Sequence, residues 1–136
     1  MVKKRPSRLE NNPSSDKIDK RKLPIFKGPN TLIRGEVWLV TLDPTLGSEI
    51  KKTRPCLIIS PPEIHNYMRT AIAAPMTTGG TPAPFRIPLH FQGKNGLILL
   101  DQMRALDKQR LIRCLGTIDA ATLRLTLSRL QDTFAD

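Results

Sequence analysis

The chain has 136 residues, the length of one domain or of one domain with a tail. It carries 22 Lys and Arg against 12 Asp and Glu, a net charge of +10, which points to a polyanionic partner, a nucleic acid or an anionic membrane face. No run approaches the ~20 apolar residues that span a bilayer, no signal-peptide core follows the charged N-terminus, and Cys56 and Cys114 are too few for a disulfide scaffold, so a reduced, cytoplasmic protein without a membrane partner is expected. An aromatic content of 4% disfavours an RNA binder built on a broad stacking platform.

The charge is uneven. Residues 1–33 hold nine basic side chains and three acidic ones, net +6, which leaves +4 for residues 34–136. The first stretch also holds Pro6, Pro13, Pro24 and Pro29 and scattered single apolar residues without a helix or strand period. It cannot bury enough apolar surface to offset its ordering entropy, so 1–33 is expected to be a disordered basic arm and 34–136 a folded domain. The arm reads as a plain solvated extension or as a tail that tracks nucleic acid, the plainer reading being preferred.

From Arg34 the texture changes. Gly35 to Leu42 is β-branched and apolar and predicts a strand. Asp43 to Thr53 is a loop by its turn residues and charges. Pro55 to Ser60 has the continuous apolar character of a buried strand, stopped by Pro61-Pro62. Thr70 to Met76 is a third strand, followed by the polar loop 77–84. Arg86 to Phe91 and Gly96 to Leu100 flank Gly93-Lys94-Asn95-Gly96 as a hairpin. Gln102 to Leu106 and Ile112 to Ile118 are further strands around the charged turn 107–110. Asp119 can cap a helix of roughly four turns, in which Leu123, Leu127, Leu130 and Phe134 recur as an apolar face, with Arg124, Thr126, Ser128 and Arg129 between them. Short strands plus one terminal helix predict a mainly β, α+β fold, a small, strongly bent antiparallel barrel with a C-terminal helix.

The chemistry is sparse. His65, in a loop, His90, at a strand end, and the two cysteines form no close ligand pair, so no metal and no cofactor is expected. Both histidines read as surface or packing residues, and Cys56 and Cys114 as packing residues. No phosphate loop or nucleophile elbow is present. What remains lies at strand ends: Glu49, Lys51, Lys52, Arg54, Thr77, Thr78, Asp101, Gln102 and Arg104. Brought together, these would form a cationic pocket with hydroxyls and carboxylates. Such a pocket suits a phosphodiester, because a guanidinium offers planar donors to phosphate oxygens and a carboxylate can accept a proton from a 2′-hydroxyl.

These same residues carry a resemblance. Gly35-Glu36-Val37-Trp38, Asp43-Pro44-Thr45-Leu46-Gly47-Ser48-Glu49 and Thr53-Arg54-Pro55-Cys56-Leu57-Ile58-Ile59-Ser60-Pro61 resemble the opening of the MazF/PemK toxin family. Thr70 to Thr78 resembles its third strand, and Leu100-Asp101-Gln102-Met103-Arg104-Ala105-Leu106-Asp107 a later strand pair. The likeness covers about residues 34–131. It implies an SH3-like barrel of the CcdB/MazF/Kid type and a homodimer. It also implies the toxin of a type II toxin–antitoxin system, a metal-independent, sequence-specific endoribonuclease. Such enzymes cut single-stranded RNA, including mRNA, and leave 2′,3′-cyclic phosphate and 5′-hydroxyl ends. An acidic antitoxin would neutralise it, and the complex of the two would bind operator DNA.

Residue by residue, the resemblance assigns Arg54 and Thr77 as catalytic, with Glu49 or Asp101 as the proton acceptor. A guanidinium does not give up its proton near neutral pH, so Arg54 is expected to act through its charge. Lys51, Lys52, Thr78 and Arg104 would line the RNA path, Gln102 would read a base edge, and Arg86 would touch the rim if it is not simply solvated. In the Kid branch an arginine stands two positions before the aspartate. Here that position is Leu99, so the pair cannot be carried over whole. Trp38 reads as a packing or dimer-contact residue rather than a base-stacking one. Two other readings stay open: a non-enzymatic CcdB-like toxin that binds gyrase, and a catalytically silent module that binds antitoxin or DNA.

Overall fold

The computed structural model describes residues 31–42 and 53–136. The arm over residues 1–30 and the loop residues Glu49, Lys51 and Lys52 lie outside the described residues. Among the described residues seven strands are formed: β1 (Glu36–Thr41), β2 (Thr53–Ile58), β3 (Thr70–Thr77), β4 (Arg86–Phe91), β5 (Lys94–Leu99), β6 (Arg104–Asp107) and β7 (Leu111–Thr117). A one-turn helix α1 (Pro62–His65) and a 15-residue helix α2 (Ala120–Phe134) complete the fold. The antiparallel order is β4-β5-β3-β2-β1-β7, with β6 also on β3, so the sheet curls into a half-barrel.

Both faces of this sheet are apolar, which is why several strands read as continuous apolar runs rather than alternating ones. Neighbours along one strand go to opposite cores. Val37, Leu57 and Ala74 join Met76, Ile87 and Ile98 inside the curl. Trp38, Ile58 and Ala73 join Val40, Cys56 and Leu106 on the other face. Leu32 is buried in that second core, so ordered packing begins before Arg34. Trp38 is a packing residue, and its indole N–H donates to Glu36 Oε1 at 3.1 Å. Helix α2 starts where Asp119 accepts the Thr122 N–H at 3.0 Å, and lays Leu123, Leu127 and Leu130 on the inner core. The expected face is corrected at two positions. Phe134, one turn after Leu130, is 70% exposed, and Thr126 is fully buried, which it tolerates because its hydroxyl donates to the Thr122 carbonyl at 2.8 Å.

Other boundaries shift for local reasons. The hairpin turn is Gln92-Gly93, not 93–96, with φ of 51° and 79° at the two residues. Positive φ at both central positions matches the right-handed twist of the flanking strands. The apolar run after Gly96 does not stay extended: Leu100–Gln102 forms a 3-10 turn, and β6 starts at Arg104 rather than Gln102.

His65 lies in α1 and not in a loop. It is fully buried, with Nδ1 3.0 Å from the Ser60 hydroxyl, whose oxygen accepts the Ile72 N–H. Its Nε2 makes no hydrogen bond of ordinary geometry among the described residues, and the Lys108 amine bonds its carbonyl. Burial, and then the charges of Lys108 and Arg34, hold its pKa below the ordinary 6.5. The unfolded chain therefore takes up the proton first. The stability this site contributes is complete above pH 6.5 and falls as pH drops from there toward the lowered value. Thermal melts should show Tm declining between pH 7 and pH 5, with a shallower slope in His65→Gln.

Candidate nucleic-acid interface

The polar strand ends gather on the concave side. Strand β2 pairs with β3 through Cys56 and Pro75, and continuing that register by two residues sets Arg54 opposite Thr77. These two side chains stand where two hollows meet. One hollow, about 600 Å³, runs from Thr53, Arg54, Thr77 and Thr78 under the β4–β5 hairpin to Phe91, Gln92, Lys94 and Asn95. The other, about 370 Å³, is lined by Arg54, Thr77, Gly79, Gly80, Arg86, Leu99 and Gln102. Arg54 and Thr77 line both.

The local chemistry differs among these groups. Among the described residues no side chain pairs with the Arg54 guanidinium, so its fixed donors face the hollows. Thr77 Oγ1 accepts the Gly79 N–H at 3.4 Å, which leaves the hydroxyl proton for an outside acceptor. Arg86 is committed: its Nε and Nη2 fork onto the two Asp101 oxygens at 3.2 and 3.0 Å. That hydrogen bonding lowers the Asp101 pKa from the ordinary carboxylate value and raises that of Arg86. Asp101 is therefore held ionised and is a weaker proton acceptor than a solvated aspartate. Gln102 ends the 3-10 turn on the smaller hollow, and Thr78 lines the larger. Arg104 is exposed on β6 opposite Ala73 and lines neither. Burial pushes the Cys56 thiol up to about 11, against the opposing charges of Arg104 and Arg54, so it stays protonated and inert. Among the described residues no three His, Cys, Asp or Glu side chains gather as a metal site.

Gly96 was legible only as a turn residue, yet it sets the position of Thr77. A Cβ there would lie 2.4 Å from the Thr77 carbonyl oxygen, a distance no real contact allows. The close approach of β5 to β3 at this end depends on the missing side chain.

The fold is shared with a MazE–MazF complex from Deinococcus radiodurans. That structure matches with a TM-score of 0.66 and 26% identity over 75% of this chain and 94% of the other. A bent antiparallel half-barrel with one C-terminal helix is thus the architecture of the MazF toxins. The profile of the PemK-like, MazF-like toxins of type II toxin–antitoxin systems matches residues 33–134, and the chain belongs to that family. It is 40% identical over 79 residues to Endoribonuclease PemK of Escherichia coli, across 54% of this chain and 59% of that protein. It is 40% identical over 86 residues to Endoribonuclease MazF of Staphylococcus epidermidis, across 57% and 70%. The aligned stretch therefore spans about three fifths of the PemK relative.

The Gly96 contact has a measurable consequence. Gly96→Ala should destabilise the fold by about 1–3 kcal/mol, the usual cost of overpacking, and displace Thr77. Gly79→Ala, whose Cβ meets nothing within 4 Å, should stay within about 0.5 kcal/mol of the parent in urea titrations.

Proposed function

We propose that this chain is the toxin of a type II toxin–antitoxin system and cleaves single-stranded RNA. One observation carries the reading: a guanidinium with no side-chain partner among the described residues and a hydroxyl with a free proton both line the two hollows. A phosphodiester seated at these two groups would have its two flanking nucleotides directed into the two hollows.

In this mechanism the RNA 2′-oxygen attacks the adjacent phosphorus. The P–O2′ bond forms and the P–O5′ bond breaks, leaving a 2′,3′-cyclic phosphate and a 5′-hydroxyl. Arg54 stabilises the charge that builds on the non-bridging oxygens, and Thr77 donates a hydrogen bond to the same oxygens. The 2′-hydroxyl proton goes to a carboxylate. Asp101 is poorly suited because Arg86 already holds it as an anion. Glu49 therefore takes that role in our reading, and the departing 5′-oxygen picks up a proton from solvent. Gln102 and Thr78 hold the strand along the hollows, and Lys51 and Lys52, outside the described residues, add cations to the RNA path in our reading. None of these steps needs a metal ion or a cofactor.

The partners follow from the family. The Deinococcus radiodurans relative was solved as a MazE–MazF assembly. We extend to this chain an acidic antitoxin, a homodimer and operator DNA bound only through the complex. Membership of the toxin family leads us to place the protein in the cytoplasm; among the described residues no helix is long and apolar enough to cross a membrane.

Incubation with a long single-stranded RNA in EDTA tests the reading. Cleavage leaving 5′-hydroxyl ends is expected. Arg54→Ala should lower kcat by about 10²–10³-fold, the scale for losing one donor to a developing oxyanion. Thr77→Ala should lose activity that Thr77→Ser recovers. Intact RNA together with inhibited gyrase supercoiling would overturn the nuclease reading.

A further inference from the structure

We propose that Gln92 is a positioning residue for the nuclease: its side chain latches the tip of the β4–β5 hairpin to β7 and so fixes the width of the larger hollow, in which RNA is seated. The inference rests on the nuclease reading above for the identity of the ligand as RNA.

The need for a latch follows from the topology. In the strand order β4 and β7 are the two ends, and among the described residues no ladder joins them. The half-barrel therefore has a seam beside the larger hollow. Arg54 and Thr77 enter that hollow from β2 and β3, whereas Leu89 and Phe91 line it from β4 and Leu115 from β7. The hairpin is laddered to β3 through Leu97 and Ile98, at the end away from its tip. A strand pair held at one end swings at the other unless the tip is fastened.

Three observations make Gln92 the fastening. Its Nε2 donates to the Leu115 carbonyl at 2.7 Å, across the seam. The acceptor is freed by a bulge: Val37 of β1 faces Gly116 and Trp38 faces Cys114, so Leu115 is the extra residue without a ladder partner. Gln92 also has a φ of 51°, the one positive φ outside glycine among the described residues. Hairpins usually place Asn, Asp or Gly at such a position. Glutamine has no backbone advantage over those residues there; what it adds is reach. Beside it Phe91 packs over the same seam on Gly116, where a Cβ would lie 3.3 Å from the ring.

The test compares the full-length parent with Gln92→Gly and Gln92→Asn. The probes are mixed-sequence single-stranded RNA oligonucleotides and the same sequences without 2′-hydroxyls, which cannot be cut. Glycine and asparagine both suit a positive φ, and neither has the length of glutamine, so the urea midpoint should stay close to the parent's. Amide hydrogen exchange should quicken from Phe91 to Gly96 and stay unchanged at Arg54 and Thr77. KM, and the Kd for the uncut strand, should rise about fivefold, the scale of one neutral hydrogen bond. The kcat should stay within about twofold of the parent, because the groups at the phosphate have not moved. A merely structural role would lower kcat through loss of folded enzyme and leave KM in place. That result, unchanged exchange at the tip, or unchanged KM and Kd overturns the latch. A parent that binds the uncut strand and cleaves no RNA sinks the nuclease reading alone, and the Kd of the variants then decides the latch. A parent that does neither overturns both.

Discussion

One edge of β3 serves two strands in succession, and the rest of the molecule follows from that constraint. Thr70 to Ala73 pair with β6, and Met76 and Thr77 pair with β5. Pro75 falls between the two sets, where a missing N–H removes no ladder bond on that edge. Both partners run antiparallel to β3 and in the same direction, but the register slips between them, from Met76 opposite Ile98 to Ala73 opposite Arg104. Three positions along β3 thus face six along the β5–β6 stretch, and the surplus is taken up by the 3-10 turn Leu100–Gln102. That turn brings Gln102 to the hollow that Thr77 lines. Gly96 completes the arrangement, because only a residue without a side chain lets β5 reach the Thr77 backbone.

The two arginines of the smaller hollow show how position divides labour between identical side chains. Arg86 reaches Asp101 with two parallel bonds and is neutralised in place. Arg54, across the same hollow, has no such carboxylate among the described residues. A phosphate arriving there meets one available guanidinium and one already paired. Attraction of a polyanion in general needs only net charge. Selection of a scissile phosphate needs an unpaired, fixed donor at one point, and Arg54 alone meets that condition among the mapped groups of this hollow. The +10 of the whole chain is therefore a poor guide to the chemistry.

Most elements were legible because their signals are local. Proline pairs, turn residues and continuous apolar runs bounded β1, β3, β4 and β7 to within about two residues, and Asp119 marked the start of α2. The failures involve contacts between distant segments. Thr126 looks polar at a helical spacing, but its hydroxyl is satisfied within the helix and the residue is buried. The run after Gly96 looks extended, and only the register offset between β5 and β6 on β3 shows why Leu100–Gln102 turns. The roles of Gly96 and Gln92 depend on Thr77 and Leu115, 19 and 23 residues away, and no local pattern reports those contacts.

The Arg86–Asp101 pair carries the same lesson further. An arginine two positions before Asp101 would share its segment, but Leu99 stands there. Strand pairing supplies the guanidinium from elsewhere, since Arg86 lies opposite Leu99 in the β4–β5 ladder. The substitution has a mechanical consequence. An arginine at 99 would hold Asp101 from within one segment, whereas Arg86 holds it from the edge strand. That strand is anchored at its far end by the Gln92 clasp on Leu115 and the Phe91 ring against Gly116. The charge beside the smaller hollow and the rim of the larger one therefore belong to a single hairpin. Anything that moves β4 must alter both hollows together, although Arg54 and Thr77 sit on different strands.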